Sequence, residues 1–447
     1  MSELQRFLAA HPDIDAVQVF ITDPGGVPRG KSVRAGELEA IFRDGRRVAG
    51  SILGLDITGE DVDATGLVWE AGDADGICRP VPGTLLPSPW LSPPTGQLML
   101  TMFDGDGQPA AGDPRHVLAR VVERLAARGL VPVVACELEF YLLREARGRL
   151  EPVGERRQGE RARIESYSLT RLDDLAPLFA DVHAAAKAQG LPAETLMAEY
   201  APGQFEITLQ HRADALRAVD EAILFKRLLR GVARRHGCIA TFMAKPFAAR
   251  AGSGLHIHVS LADREGRNLF AAEDPAGTPL LRHAIGGLAA TVAESFLVFA
   301  PNANSYRRYR SLSYAPVAPT WGINNRTVSL RVPAGPPASR HVEHRIAGAD
   351  ANLYLAVATV LAGVENGIDG HIDPGPPVAG NGYALARPRV FPATWHEAIE
   401  RAGASQFLHA ALGADFMKVF LAVKRQECER FMAEVTPLDY AWYLRDT

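Results

Sequence analysis

The chain has 447 residues, 47% of them hydrophobic and 22% charged, proportions of a folded globular protein that exclude a disordered or collagen-like chain. Forty-eight basic residues against fifty-two acidic ones leave a net charge of −4, so no basic field is available to hold nucleic acid or an anionic bilayer. At about 150 residues per domain, the length predicts one large domain and a smaller one.

Residues 15–34, Asp15 to Thr22 and then Val27 to Val33 around Asp23-Pro24-Gly25-Gly26, read as two short strands joined by a tight turn, which predicts a hairpin. A short helix over about 35–43 follows, then a Gly- and Asp-rich region from 50 to 76 and a proline-rich stretch from 80 to 94. Gln97 to Phe103 reads as one more strand, closing a small α+β domain over residues 1–110. Asp113-Pro114, a cap residue and a proline at the first helical position, opens an amphipathic helix to about Arg128 and with it a larger domain, 111–447. Helical patterns near 172–189, 212–236, 279–298 and 349–366 alternate there with period-two segments, and the chain reads as helical from Pro392 on. No stretch approaches the ~20 apolar residues of a membrane span, and the start lacks a signal-peptide pattern. Cys78, Cys136, Cys238 and Cys428 are scattered without zinc-site or disulfide spacing; a soluble, cytoplasmic protein is expected.

Chemistry enters on the strands. In Val133 to Leu143 side chains alternate between the two faces, so Glu137 and Glu139 share one while Cys136, Leu138 and Phe140 take the other. Two like charges on an otherwise apolar strand are costly to bury without compensation; an exposed strand face is the plain alternative. The pattern recurs. Gln204, Glu206 and Thr208 share a face, with Glu199 just upstream; so do His256, His258 and Ser260, and again His341, Glu343 and Arg345. Several strands aiming charge to one side describe a sheet with a polar site. Carboxylates with imidazole and no cysteine suit Mg²⁺ or Mn²⁺ rather than structural zinc. Arg308, Arg326, Arg331 and Arg345 follow, suited to anchoring a carboxylate substrate and a transferring phosphoryl group, or else to surface ion pairs. No phosphate loop is present.

These segments resemble the glutamine synthetase family over nearly the whole chain. Cys136 to Phe140 is similar to its Glu-x-Glu strand, Glu199 with Pro202 to Glu206 to its second carboxylate segment, and Gly252 to His258 to its Gly-Ser-Gly-Met-His-x-His strand. Asn304 to Arg308, Asn325-Arg326 and Glu343 to Arg345 complete the set. The resemblance implies an N-terminal β-grasp domain and a C-terminal α/β barrel-like catalytic domain, with sites between subunits of stacked rings, as in a dodecamer. It implies that Glu139, Glu199 and Glu206 hold one divalent metal and Glu137, His256 and Glu343 a second. Arg308, Arg345 and Gly252 would bind glutamate, Arg326 and Arg331 would stabilise the transferring phosphoryl group, and His258 and Ser260 would face ATP. His341 stands on the nucleotide side where the family usually has Arg.

The chain departs from the family where ammonium is held. Ala49 stands at the family's Asp and Tyr314 at its Glu. Loss of both carboxylates argues against ammonia, and the resemblance is closer to the γ-glutamylpolyamine and γ-glutamylamide branch, through Thr65 to Glu70 and Arg79 to Thr84. The expected activity is ATP-dependent coupling of the glutamate γ-carboxylate to a primary amine through γ-glutamyl phosphate. An amine of pKa about 10.4 still needs a base. Asp56, Glu60, Asp61 and Asp63 either meet the far ammonium of a diamine or form an exposed acidic loop. The alternatives are an ordinary glutamine synthetase, a non-catalytic assembly of the same fold, and a metal-dependent kinase or amidohydrolase.

Overall fold

The computed structural model describes residues 1–146, 148–154, 164–384 and 390–445; the last two positions of the expected 111–447 domain lie outside the described residues. The strands fall into two sheets. The first holds β1 (Ala16–Thr22), β2 (Pro28–Arg34), β3 (Arg46–Ala49), β4 (Asp75–Pro80), β5 (Leu86–Pro87) and β6 (Thr95–Phe103), in the order β2-β1-β6-β4-β3 with β5 also on β6. β1 and β2 form the expected hairpin. Asp23 accepts the Val27 amide at 2.8 Å, and Gly26 takes φ +83°, open to glycine without strain. β1 also runs parallel to β6.

The sequence reading passed over β3, β4 and the first helix, Glu3–Ala10. β4 contains a glycine and ends at Pro80, and β3 is a four-residue edge strand, so neither shows a hydrophobic alternation. β1 is covered on both sides. Val17, Val19 and Ile21 join a small core with Phe7, Leu38, Ile41 and Leu98, while Phe20 joins the main core, 5.1 Å beneath the Arg227 guanidinium.

The second sheet holds β7 (Val131–Ala146), β8 (Arg149–Pro152), β9 (Ala193–Ala198), β10 (Gln204–Leu209), β11 (Ile239–Thr241), β12 (Leu255–Ala262), β13 (Trp321–Ile323), β14 (Leu330–Val332) and β15 (Val342–His344). Its order is β13-β14-β15-β12-β7-β10-β9, with β8 and β11 also on β7. β7 is the axis, antiparallel to both β10 and β12. Val134, Cys136, Leu138, Phe140 and Leu142 bury its apolar face in the main core. Helices Ala215–Arg235 and Pro114–Ala127 lie against it, and helix Leu353–Asp369 packs on both. Burial pushes the Cys136 thiol up to about 12, as befits a packing residue. The helix expected over 172–189 is broken into Leu169–Asp174 and Ala176–Ala188, because Pro177 lacks the N–H that would continue the first helix.

Two polar devices tie the parts together. Asn352 caps helix Leu353–Asp369 by accepting the Tyr354 amide at 3.0 Å, and its own amide donates to the carbonyls of Asp23 and Pro24 at 3.0 and 3.2 Å. Asp220, 2% exposed, accepts a two-pronged contact from Arg115 at 3.0 Å on each oxygen and a hydrogen bond from the Tyr354 hydroxyl. Removing one partner of such a buried pair strands the other, at about 3–5 kcal/mol. Asp220→Ala is therefore expected to lower unfolding stability by about that amount in urea titration; a change below ~1 kcal/mol would contradict the structural role.

Candidate active site

Strand register builds the polar face. Across β7 and β12, Glu137 faces His256; across β7 and β10, Glu139 faces Glu206 and Glu137 faces Thr208. On the far side of β12, His258 faces Glu343, which faces Arg331 of β14. The alternation read from sequence thus lands the charged residues of four strands on one patch.

At the centre, His256 Nδ1 contacts the Glu137 carboxylate and lies 3.8 Å from that of Glu343. Its Nε2 is 3.8 Å from Glu139. One atom from each of Glu137, His256 and Glu343 lies within 4.8 Å of the others, and the same holds for Glu139, Glu206 and His256. The first trio is the one expected. In the second, His256 stands where Glu199 was expected; Glu199 is only partly buried, and one of its oxygens accepts its neighbour Tyr200's amide at 3.1 Å. Glu139 is fixed by the Gly254 amide at 2.8 Å and Gln204 at 3.4 Å. Gln204 also donates to the Gly252 carbonyl at 3.0 Å.

Burial, followed by the charges of Glu137, Glu139 and Glu199, pushes the Glu206 carboxyl up to about 11. Glu199 rises to about 7 through burial and then the charge of Glu139. Burial also works against Glu343, but Arg345, His256 and His258 outweigh it and hold that carboxyl at about 2. Glu137 likewise stays well below the usual range despite burial, because of His256 and His258. One side of the patch is therefore balanced by protein cations, and the Glu139/Glu206 side is not. An all-oxygen-and-imidazole set with uncompensated buried carboxylate fits a hard divalent cation.

Arginines border the patch. Arg331 donates to Glu343 at 2.8 Å and to Asn324 at 3.1 Å, and Arg345 also pairs with Glu343. The Nε atoms of Arg331 and Arg345 are buried and have no hydrogen-bond partner among the described residues, so each keeps a donor for an anion. Arg308, 4% exposed, is held by the Ile346 carbonyl at 2.8 Å and passes close over two glycines. A Cβ on Gly254 would meet Arg308 Nη2 at 2.6 Å and His256 Nε2 at 3.2 Å; one on Gly252 would meet the Ala244 carbonyl at 2.6 Å. Gly254→Ala is expected to displace the guanidinium and cut kcat/KM about tenfold or more with little change in unfolding midpoint. Wild-type kinetics in a folded Gly254→Ala protein would refute the close approach.

The remaining expected residues scatter. Ser260 is buried on β12, and His341 sits beside β15 with its Nε2 3.0 Å from His258 Nδ1. Arg326 is exposed on the turn between β13 and β14. Tyr314 is 58% exposed at φ +58°, an unusual conformation for a bulky residue, and the neighbouring Leu312 shares it at +60°. Ala49 ends β3 in the other sheet, opposite Asp75. Of the four acids of the loop considered for a diamine, Asp56 is already engaged, whereas Glu60, Asp61 and Asp63 are exposed. Asp56 is 1% exposed and paired with Arg430, which also reaches Glu60 at 2.9 Å, while Asp56 caps the Thr58 amide at 2.8 Å. Gln204 and His211 belong to the patch and its edge but were not given roles from sequence; Gln204 shares a face with Glu206, which was the available signal.

Comparison with known proteins adds to this geometry. The family model described as "Glutamine synthetase, catalytic domain" matches residues 111–443. Gamma-glutamylputrescine synthetase of Escherichia coli is 39% identical over 99% of this chain and 94% of its own length. Glutamate–isopropylamine ligase of a Pseudomonas species is 30% identical over 99% of this chain and 97% of its own. Among solved structures, a GmaS/ADP complex superposes with a TM-score of 0.86 at 27% identity, covering 99% of this chain and 100% of that one.

Proposed function

This chain belongs to the glutamine synthetase family, and from that premise we propose that it is an ATP-dependent glutamate–amine ligase, joining the γ-carboxylate to a primary amine of the putrescine class. The observation that carries the reading is the similarity, over the full chain, to ligases named for amines rather than ammonia, on a chain with Ala49 and Tyr314 at the two positions that resemble the family's ammonium carboxylates.

The chemistry divides among the residues of the patch. Arg345 and Arg308 anchor the carboxylates of glutamate, with the Gly252 backbone beside them, while Arg331 and Arg326 offset charge on the phosphoryl group as it moves from ATP to the γ-carboxylate oxygen. His258, Ser260 and His341 line the nucleotide side. Glu139, Glu199 and Glu206 would hold one Mg²⁺ or Mn²⁺ ion and Glu137, His256 and Glu343 another. Bound there, the ions supply Lewis-acid polarisation and neutralise phosphate charge. The amine nitrogen then attacks the acyl carbon of γ-glutamyl phosphate, forming the C–N bond as phosphate leaves with the C–O bonding pair. A base takes the amine's proton.

The assembly in this reading is a homo-oligomer of stacked rings with sites shared between subunits, in the cytoplasm. Support comes from the C-terminal segment, where Leu438, Tyr440, Trp442 and Leu444 are 54–68% exposed, an apolar surface that association would cover. The mechanism is tested with glutamate carrying ¹⁸O in its γ-carboxylate. One labelled oxygen per released phosphate, dependent on added amine, is expected; unlabelled phosphate would rule out the acyl phosphate.

A further inference from the structure

Three imidazoles meet beside the carboxylate patch, and the ligase reading makes no use of one of them. His211 follows β10, His258 lies on β12 and His341 precedes β15. Their ring centroids are 5.1 Å apart for His258 and His341, 5.4 Å for His211 and His341, and 5.7 Å for His211 and His258. One nitrogen from each lies within 4.8 Å of the other two.

The hydrogen bonds fix which nitrogens are free. His341 Nδ1 lies 2.7 Å from the Ser339 carbonyl, an acceptor only, so Nδ1 carries the proton and Nε2 presents a lone pair. His258 Nε2 lies 3.3 Å from the Glu137 carboxylate, an acceptor, so its Nδ1 is the nitrogen turned toward His341. The two inner nitrogens face each other at 3.0 Å, a separation that one bridging proton or one bridging metal ion can span. Two Zn–N bonds of about 2.0–2.1 Å at a tetrahedral angle hold their nitrogens about 3.4 Å apart, close to the spacing found. An outer N–H donated to a carbonyl or carboxylate is also the support that metal-binding histidines carry.

We propose that His211, His258 and His341 form a further cation site, separate from the carboxylate groups, for a borderline transition metal ion of the Zn²⁺ or Co²⁺ kind. Imidazole donors suit such ions, whereas Mg²⁺ prefers oxygen. The site stands on its own geometry and holds whether or not the amine assignment does.

The test uses the full chain, stripped by chelator, refilled with excess Mg²⁺ and titrated with Co²⁺ while visible absorption is read. One Co²⁺ per chain with ligand-field bands, displaced by Zn²⁺, is expected. His211→Gln, at an exposed position, should weaken that affinity at least about tenfold, and Glu206→Gln should leave it unchanged. Bands lost in Glu206→Gln but retained in His211→Gln would place the ion among the carboxylates and overturn the proposal. Absence of bands in the wild-type protein would equally overturn it, leaving a shared proton between His258 and His341.

Discussion

Glu206→Gln is expected to lower kcat by about 10³-fold, the several kcal/mol that a correctly held cation supplies to phosphoryl transfer, without making the metal-free protein less stable. Without a cation, burial and the neighbouring carboxylates push Glu206 up to about 11 from 4.5. Between those values the folded metal-free protein holds a proton that the unfolded chain has released. The contribution of this group to stability is thus fully present below about pH 4.5 and is lost as pH rises toward the folded value. Glutamine at this position neither titrates nor repels Glu137 and Glu139. The thermal midpoint of wild-type protein in chelator should fall between about pH 5 and 9, and the variant should lose much of that fall. A variant that keeps both full activity and the wild-type slope would remove Glu206 from the metal assignment.

Arg345→Lys is expected to raise KM for glutamate about 10–100-fold with a smaller effect on kcat. Lysine keeps the positive charge beside Glu343 but loses the planar fork and the free Nε donor. A missing charge-assisted hydrogen bond of about 1.5–3 kcal/mol corresponds to that range. Because the charge stays, the buried Glu343 is not stranded, and unfolding midpoints of the two proteins should be close. Unchanged KM with a large fall in kcat would instead place Arg345 at the transferring phosphoryl group.

Much of this architecture was legible in the sequence because period-two alternation on buried strands is a strong signal. Glu137 and Glu139 against Cys136, Leu138 and Phe140 showed which face of β7 is polar, the same alternation put His256 with His258 and Glu343 with Arg345 on polar faces of their own strands, and only the family resemblance grouped His256 and Glu343 with Glu137. What single strands cannot carry is register. That Glu139 faces Glu206, and that His256 reaches both carboxylate groups, depends on pairing between segments far apart in the chain. The His211 cluster was missed for the same reason, since its members come from three separate segments. Asp56 read as a surface acid because nothing local announces its partner; Arg430 lies 374 positions away. β3 and β4 were passed over because a glycine, a proline and short length hide an edge.

In the single chain Ala49 lies in the first sheet, while Tyr314 lies on an exposed loop beside Tyr383, whose hydroxyl also feels Arg345 and Arg308. A site between subunits would bring Ala49 of one subunit to the substrate of the next, so the amine assignment and the assembly stand together. The measurement that decides it is phosphate release from ATP with glutamate and Mg²⁺ or Mn²⁺ across ammonium, monoamines, ethanolamine, putrescine, spermidine and spermine, with the amide identified by mass. The account predicts turnover with a diamine such as putrescine and little or none with ammonium. Strong turnover with ammonium alone would contradict it and return the chain to ordinary glutamine synthesis.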